Sequence, residues 1–205
     1  MYKISSIAEN FCRLVNIIKI SVLSLVSPTV KYNLQPYNNE GDTTGGRNLS
    51  WFHQQVSPIL LELIPPPKKF SLGLDLGCGN CRMAEFLTKL CNNVIGIDIH
   101  ETHHEANLKN SNYVYVKTSF KNFHGVVDLL FAFGMFDILK RNFGIQELVK
   151  KIDKVTTQNS MIIFIYDSNL DDNLFIEQLK SKSFAIELQF TTENIPTKII
   201  AMRKQ

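Results

Sequence analysis

The chain has 205 residues, enough for one domain with a full hydrophobic core. Apolar residues make up 44%, too many for a disordered chain. The formal net charge is only +3, from 22 Lys and Arg against 19 Asp and Glu, so no nucleic-acid partner is expected. Cys12, Cys78, Cys81 and Cys91 form no dense disulfide framework. A reducing compartment fits them better than secretion, so a cytoplasmic protein is expected.

Apolar residues at the N-terminus repeat at steps of three and four: Ile4, Ile7, Phe11, Leu14, Ile18, Val22 and Leu25. That spacing predicts one stripe of an amphipathic helix. The apolar run from Leu14 to Val26 is shorter than the roughly 20 residues of a membrane span, and Lys19 interrupts it. Its charged flank is thin and no small-residue cleavage site clearly follows, so neither a signal peptide nor stable membrane insertion is expected. A lid, a surface for a homo-oligomer and a membrane-surface anchor remain three readings of this helix.

Residues Pro28 to Asn48 collect turn and breaker residues, including Gly41-Asp42-Thr43-Thr44-Gly45-Gly46. They predict a long mobile loop of the kind used as a lid. The predicted domains are therefore 1–49, a helix with a cap loop, and 50–205, the globular part. Ser50 is placed to cap a helix from Trp51 to about Ile64, which Pro65-Pro66-Pro67 ends.

From Phe70 onward strands and helices alternate. Predicted strands are 72–76, 93–99, 113–116, 126–133 and 161–166, with helices at 82–90, 143–155 and about 170–181. Lysines and arginines from Lys140 to Lys154 read as a solvated helix face. Strands at 184–190 and 197–202, joined by a turn with Asn194 and Pro196, close the chain. The alternation implies an α/β fold with a doubly wound, mostly parallel seven-stranded sheet and an antiparallel C-terminal edge hairpin. In such a sheet ligands bind beyond the carboxyl ends of the strands, where strand order reverses.

The first strand ends in Leu74-Asp75-Leu76-Gly77-Cys78-Gly79. The glycines allow a sharp turn and close approach of a ligand. Asp98, nineteen residues past Gly79, is placed to accept hydrogen bonds from ribose hydroxyls. A dinucleotide fingerprint would want glycine where Arg82 stands.

The segment from Leu74 to Gly79 resembles motif I of the class I S-adenosylmethionine-dependent methyltransferases, which are Rossmann-like. Val94-Ile95-Gly96-Ile97-Asp98 resembles their acidic second strand, and Val127-Asp128-Leu129-Leu130-Phe131-Ala132 their fourth-strand motif. The resemblance covers about residues 50 to 205. It implies S-adenosylmethionine as cofactor, with Gly77, Cys78 and Gly79 around the methionine moiety. It further implies that Asp75 orients the amino group directly or through water, that Asp98 binds the ribose and that Ile99 packs on the adenine. Ser119 and Phe120 stand where the family contacts adenine, without the acidic residue common there. Phe133 and Gly134 would line the floor.

The implied activity is methyl transfer to a small organic acceptor, through oxygen or nitrogen. A protein, peptide or RNA acceptor and a noncatalytic cofactor-binding subunit are the alternatives. His53 is the candidate general base. The fourth strand leads into Phe133-Gly134-Met135-Phe136 and lacks the Asn/Asp-Pro-Pro-aromatic signature of enzymes that methylate exocyclic base nitrogens.

Two further motifs are set aside. His100-Glu101-Thr102-His103-His104 matches a zinc-protease pattern but follows a buried strand and lacks helical flanks. Cys78 and Cys81 have redox or zinc spacing, yet read as small residues filling a tight turn. No metal is expected.

Overall fold

The computed structural model describes residues 52–64, 69–100, 112–192 and 197–205. The amphipathic N-terminal helix, the cap loop, the Ser50 cap, Pro65-Pro66-Pro67, residues 101–104 of the histidine-rich segment and the turn at Asn194 and Pro196 lie outside them.

One π-helical turn (Phe52–Val56) runs into α1 (Ser57–Leu63). Then follow β1 (Phe70–Leu76), α2 (Ala84–Leu90), β2 (Cys91–Asp98) and β3 (Tyr113–Lys117). A 3-10 turn (Phe120–Asn122), β4 (Val127–Phe133), α3 (Phe136–Phe143) and α4 (Ile145–Val155) come next. The chain closes with β5 (Thr156–Asp167), α5 (Asn173–Lys180), β6 (Phe184–Thr192) and β7 (Thr197–Lys204).

The seven strands form one sheet in the order β3-β2-β1-β4-β5-β7-β6. Pairings from β3 through β5 are parallel, and β7 is antiparallel to both β5 and β6. The expected mixed sheet is therefore present, with β7 alone running against the rest. Strand order reverses between β1 and β4, which opens a crevice at their carboxyl ends.

Alternation along each strand divides the core between two faces. On β5, Ile162, Phe164 and Tyr166 join the cluster beneath α3, α4 and α5, while Met161, Ile163 and Ile165 join the cluster beneath α1 and α2. Both faces of the central strands are covered, which is why their sequences read as continuous apolar runs. At the opposite end of the crevice, Asp128 Oδ2 accepts the backbone N–H groups of Ser71 and Leu72, both at 3.1 Å, and so fixes the start of β1 against β4.

The sequence pattern predicts a helix over 143–155, which α4 fills, and no element over 136–142, where the structure has α3. Gly144 has φ 69° and ψ 157°, a left-handed position that favours glycine, and it ends α3 and opens α4. The periodic signal for α3 was present: Met135, Ile138, Leu139 and Asn142 fall on one helical face.

Phe52 fastens the π-turn to the sheet. Its ring is fully buried and meets Phe86, Phe133 and Phe131 edge-on, with centroids at 4.9, 5.8 and 6.1 Å. Phe52→Ala should cost about 3–5 kcal/mol, read as a lower urea midpoint at unchanged slope.

Candidate active site at the carboxyl ends of the strands

The turn after β1 is folded back on β2. Ile97 O accepts the N–H groups of Gly77 at 2.9 Å and Cys78 at 3.1 Å. Gly79 N–H donates to Asp98 Oδ2 at 3.0 Å, and Cys81 N–H to Cys78 O at 2.7 Å. Gly77 and Gly79 have φ of 71° and 46°, which glycine adopts without strain. These donors are already committed within the protein, so the turn does not present the row of free N–H groups that cradles a pyrophosphate.

Asp98 is held by two backbone donors, since its Oδ1 also accepts the N–H of His100 at 2.9 Å. Each carboxylate oxygen keeps a further lone pair. The carboxylate is half-buried and stands on the wall of a cleft.

That cleft is partly open to solvent. Leu76 and Gly77 line it from β1 and its turn, Ile97, Asp98 and Ile99 from β2, and Thr118, Ser119 and Phe120 from the end of β3. Met135, Ile138, Leu139, Asn142 and Phe143 close it from α3. A side-chain carbon at Gly77 would stand 2.3 Å from Met135 Sδ, so Met135 lies directly on the glycine. At Gly79 the same carbon would meet nothing within 4 Å, which leaves open space above the turn.

Phe120 is held from behind. Its ring meets Phe143 at 5.8 Å, and Lys151 Nζ lies 5.8 Å from its centroid. The same ammonium donates to the carbonyls of Lys121 and Phe123 and so clamps the 3-10 turn. Burial lowers the Lys151 pKa to about 8.

Of the residues selected from sequence, Gly77, Asp98, Ile99, Ser119 and Phe120 converge on this cleft. Asp75, Cys78, Gly79, Phe133 and His53 are not on its wall. Asp75 alternates with Leu74 and Leu76 and so faces the other side of the sheet. It is 2% exposed and accepts the Tyr113 hydroxyl at 2.8 Å. Its place is beneath the turn, and the expectation of a direct contact with a ligand amino group is corrected by this facing. Phe133 likewise turns to the α1 face, against Phe52. Cys78 and Cys81 are buried free thiols 3.8 Å apart. His53 is exposed, its ring 5.5 Å from that of Phe52. The helix α3, unrecognised in sequence, supplies the wall formed by Met135, Ile138, Leu139, Asn142 and Phe143.

Residues 74–164 match a family model described as a methyltransferase domain. The match takes in the end of β1 through most of β5, so the core of the sheet is similar to a methyltransferase domain. Solved structures similar to this chain include the N-methyltransferase NodS from Bradyrhizobium japonicum WM9, at 14% identity and TM-score 0.62, covering 75% of this chain and 96% of that one. The same NodS in complex with S-adenosyl-L-homocysteine is 16% identical with TM-score 0.61, covering 75% and 87%. A ribosomal protein L11 methylase from Lactobacillus delbrueckii subsp. bulgaricus is 23% identical with TM-score 0.59, covering 74% and 79%. No curated protein sequence matches this chain significantly.

S-adenosylmethionine is the cofactor of this domain family, and the residues present fit it. The cleft combines a fixed carboxylate for a diol with apolar walls for a flat base, and the space over Gly79 is open. Among the described residues no group of three or more His, Cys, Asp or Glu converges as a metal site. Nor is any described helix long and apolar enough to cross a membrane.

Burial pushes the Asp75 carboxyl up to about 7, against a partial lowering by the Tyr113 hydrogen bond and a further rise from nearby Asp98. The unfolded chain releases this proton near its ordinary value of 3.8, while the folded protein keeps it to about 7. The stability this group contributes is therefore complete below about pH 4 and is lost as pH rises towards 7, on the order of 4 kcal/mol in all. Asp75→Asn keeps an acceptor for Tyr113 but cannot ionise. Urea unfolding should show the variant gaining stability over the parent between pH 5 and pH 8, and a constant difference would refute the assignment.

Proposed function

We propose that this methyltransferase moves the methyl group of S-adenosylmethionine to a small organic acceptor, on oxygen or nitrogen. The observation that carries the reading is the Asp98 carboxylate, pinned by Gly79 and His100 N–H groups on the wall of an otherwise largely apolar cleft. When bound, S-adenosylmethionine supplies a methyl group on a sulfonium, which is displaced in line and leaves a neutral thioether.

The protein's part is to bind, align and exclude water. Asp98 accepts hydrogen bonds from the ribose hydroxyls through its remaining lone pairs. Ile99, Ile138 and Leu139 present apolar surface to the adenine, beside Phe120 and Phe143. The open backbone at Gly79 lets the methionine end approach closely. Asp75 supports the turn from below through Tyr113. Alignment of two reactants in this manner can supply roughly 7–11 kcal/mol of the barrier.

The segment Phe133-Gly134-Met135-Phe136 after β4, which lacks an Asn/Asp-Pro-Pro-aromatic signature, favours a small acceptor over a nucleobase amine. NodS is an N-methyltransferase and the Lactobacillus enzyme a ribosomal protein methylase, so the shared fold accommodates different acceptors. The decisive experiment incubates the protein and labelled cofactor with fractionated cell extract. Label in a low-molecular-weight product supports the proposal; label in protein or RNA, or binding without transfer, overturns it.

Asp98→Ala should weaken S-adenosylhomocysteine binding roughly 10- to 100-fold by calorimetry, the loss expected for hydrogen bonds to a charged acceptor. Equal affinity would remove the ribose assignment.

His53 is the proposed general base for a hydroxyl acceptor. Its ring contact with Phe52, which in turn touches Phe133 at the end of β4, supports this reading. His53→Ala should lower kcat about 10²- to 10⁴-fold with cofactor affinity unchanged. An unaltered kcat would exclude the role.

A further inference from the structure

The polar groups of the cleft divide unequally. Asp98, Thr118, Ser119 and Asn142 are its hydrogen-bonding side chains. Both Asp98 oxygens already accept backbone N–H groups, at the end of β2 assigned to the ribose. The Ser119 hydroxyl accepts the N–H of Asn122 and caps the 3-10 turn. Thr118 carries a short hydroxyl buried at the end of β3.

Asn142 differs from Asp98 and Ser119 in having no partner among the described residues, and from Thr118 in presenting an amide from an exposed position. It is exposed on α3, and no hydrogen-bond or ionic partner engages its side chain among the described residues. It shares a helical face with Met135, Ile138 and Leu139, so its amide stands among the apolar side chains that would cover a base. An amide sets an acceptor oxygen beside donor hydrogens. The 6-amino group of adenine sets a donor beside ring-nitrogen acceptors, and asparagine pairs with that edge in nucleic-acid recognition. Asp98 is the one carboxylate on the cleft wall among the described residues.

We propose that Asn142 holds the 6-amino edge of the adenine and is a specificity-determining residue of this methyltransferase. The assignment rests on the cofactor reading above. It places recognition of the base on the helix after β4, through a neutral side chain.

The test is a cycle of binding measurements by calorimetry on the full chain. The ligands are S-adenosylhomocysteine and its analogue with hydrogen in place of the 6-amino group. The parent protein should bind the amino ligand about tenfold more tightly than the analogue. Asn142→Ala should lose about tenfold for the amino ligand and bind both ligands alike. Asn142→Asp, which keeps an acceptor oxygen, should retain the preference for the amino ligand. Unchanged thermal midpoints are expected, because Asn142 is exposed on its helix. If Asn142→Ala keeps the full preference, or Thr118→Val abolishes it instead, the proposal is overturned while the cofactor reading stands. If the parent protein binds neither ligand, the cofactor reading itself fails.

Discussion

The site depends on one constraint: the turn after β1 must close against the end of β2. Ile97 O takes the N–H groups of Gly77 and Cys78, and Asp98 takes that of Gly79. This back-folding satisfies buried donors that would otherwise be costly. It also fixes the carboxylate. A side chain with free rotamers would lose entropy on binding a ligand, whereas one already held by two N–H groups is preorganised. A single set of hydrogen bonds thus shapes the turn, uses up its donors and aims the acid.

Beneath the turn the sheet carries a second polar device. Tyr113 on β3 reaches across β2 to Asp75 on β1. It can do so because Gly96 stands between them: a side-chain carbon there would lie 2.0 Å from the Tyr113 hydroxyl oxygen. The register pairs Asp75 with Gly96. A buried carboxyl so placed remains protonated well above its ordinary range, which lets it sit under the site without an unpaired charge. A comparable pairing at the far side of the sheet involves buried Asp172, which binds Lys198 Nζ at 2.7 Å and the Tyr166 hydroxyl. It joins β5, the start of α5 and β7. Of the two buried carboxyls among the described residues, one is thus neutralised by a proton and the other matched by a cation.

The two faces of the sheet divide the labour. The α3, α4 and α5 face forms the cleft wall, and Lys151 on α4 braces the turn that carries Phe120. The opposite face holds Phe52 and the aromatic contacts that lead from His53 to Phe133. The cleft wall and the Phe52 cluster therefore arise from different elements on opposite faces of one sheet.

Much of this was legible in the residues. Alternating strand and helix patterns gave the doubly wound sheet, because apolar periodicity follows from local geometry. The Gly77–Gly79 turn and Asp98 were recognisable because glycine and an acid at strand ends serve one physical purpose. The sequence by itself determined the fold class and marked Asp98 as the acid at the end of β2 that lines the cleft. It could not show that Asp75 turns away from the cleft, since that depends on which face of β1 packs on which helix. Nor could it show that α3 closes one side of the cleft, because its eight residues sit between glycines whose conformation is settled by packing. Tertiary structure decided those points, for the reason that a side chain's role is set by the neighbours the folded sheet brings to it and not by its position in the motif.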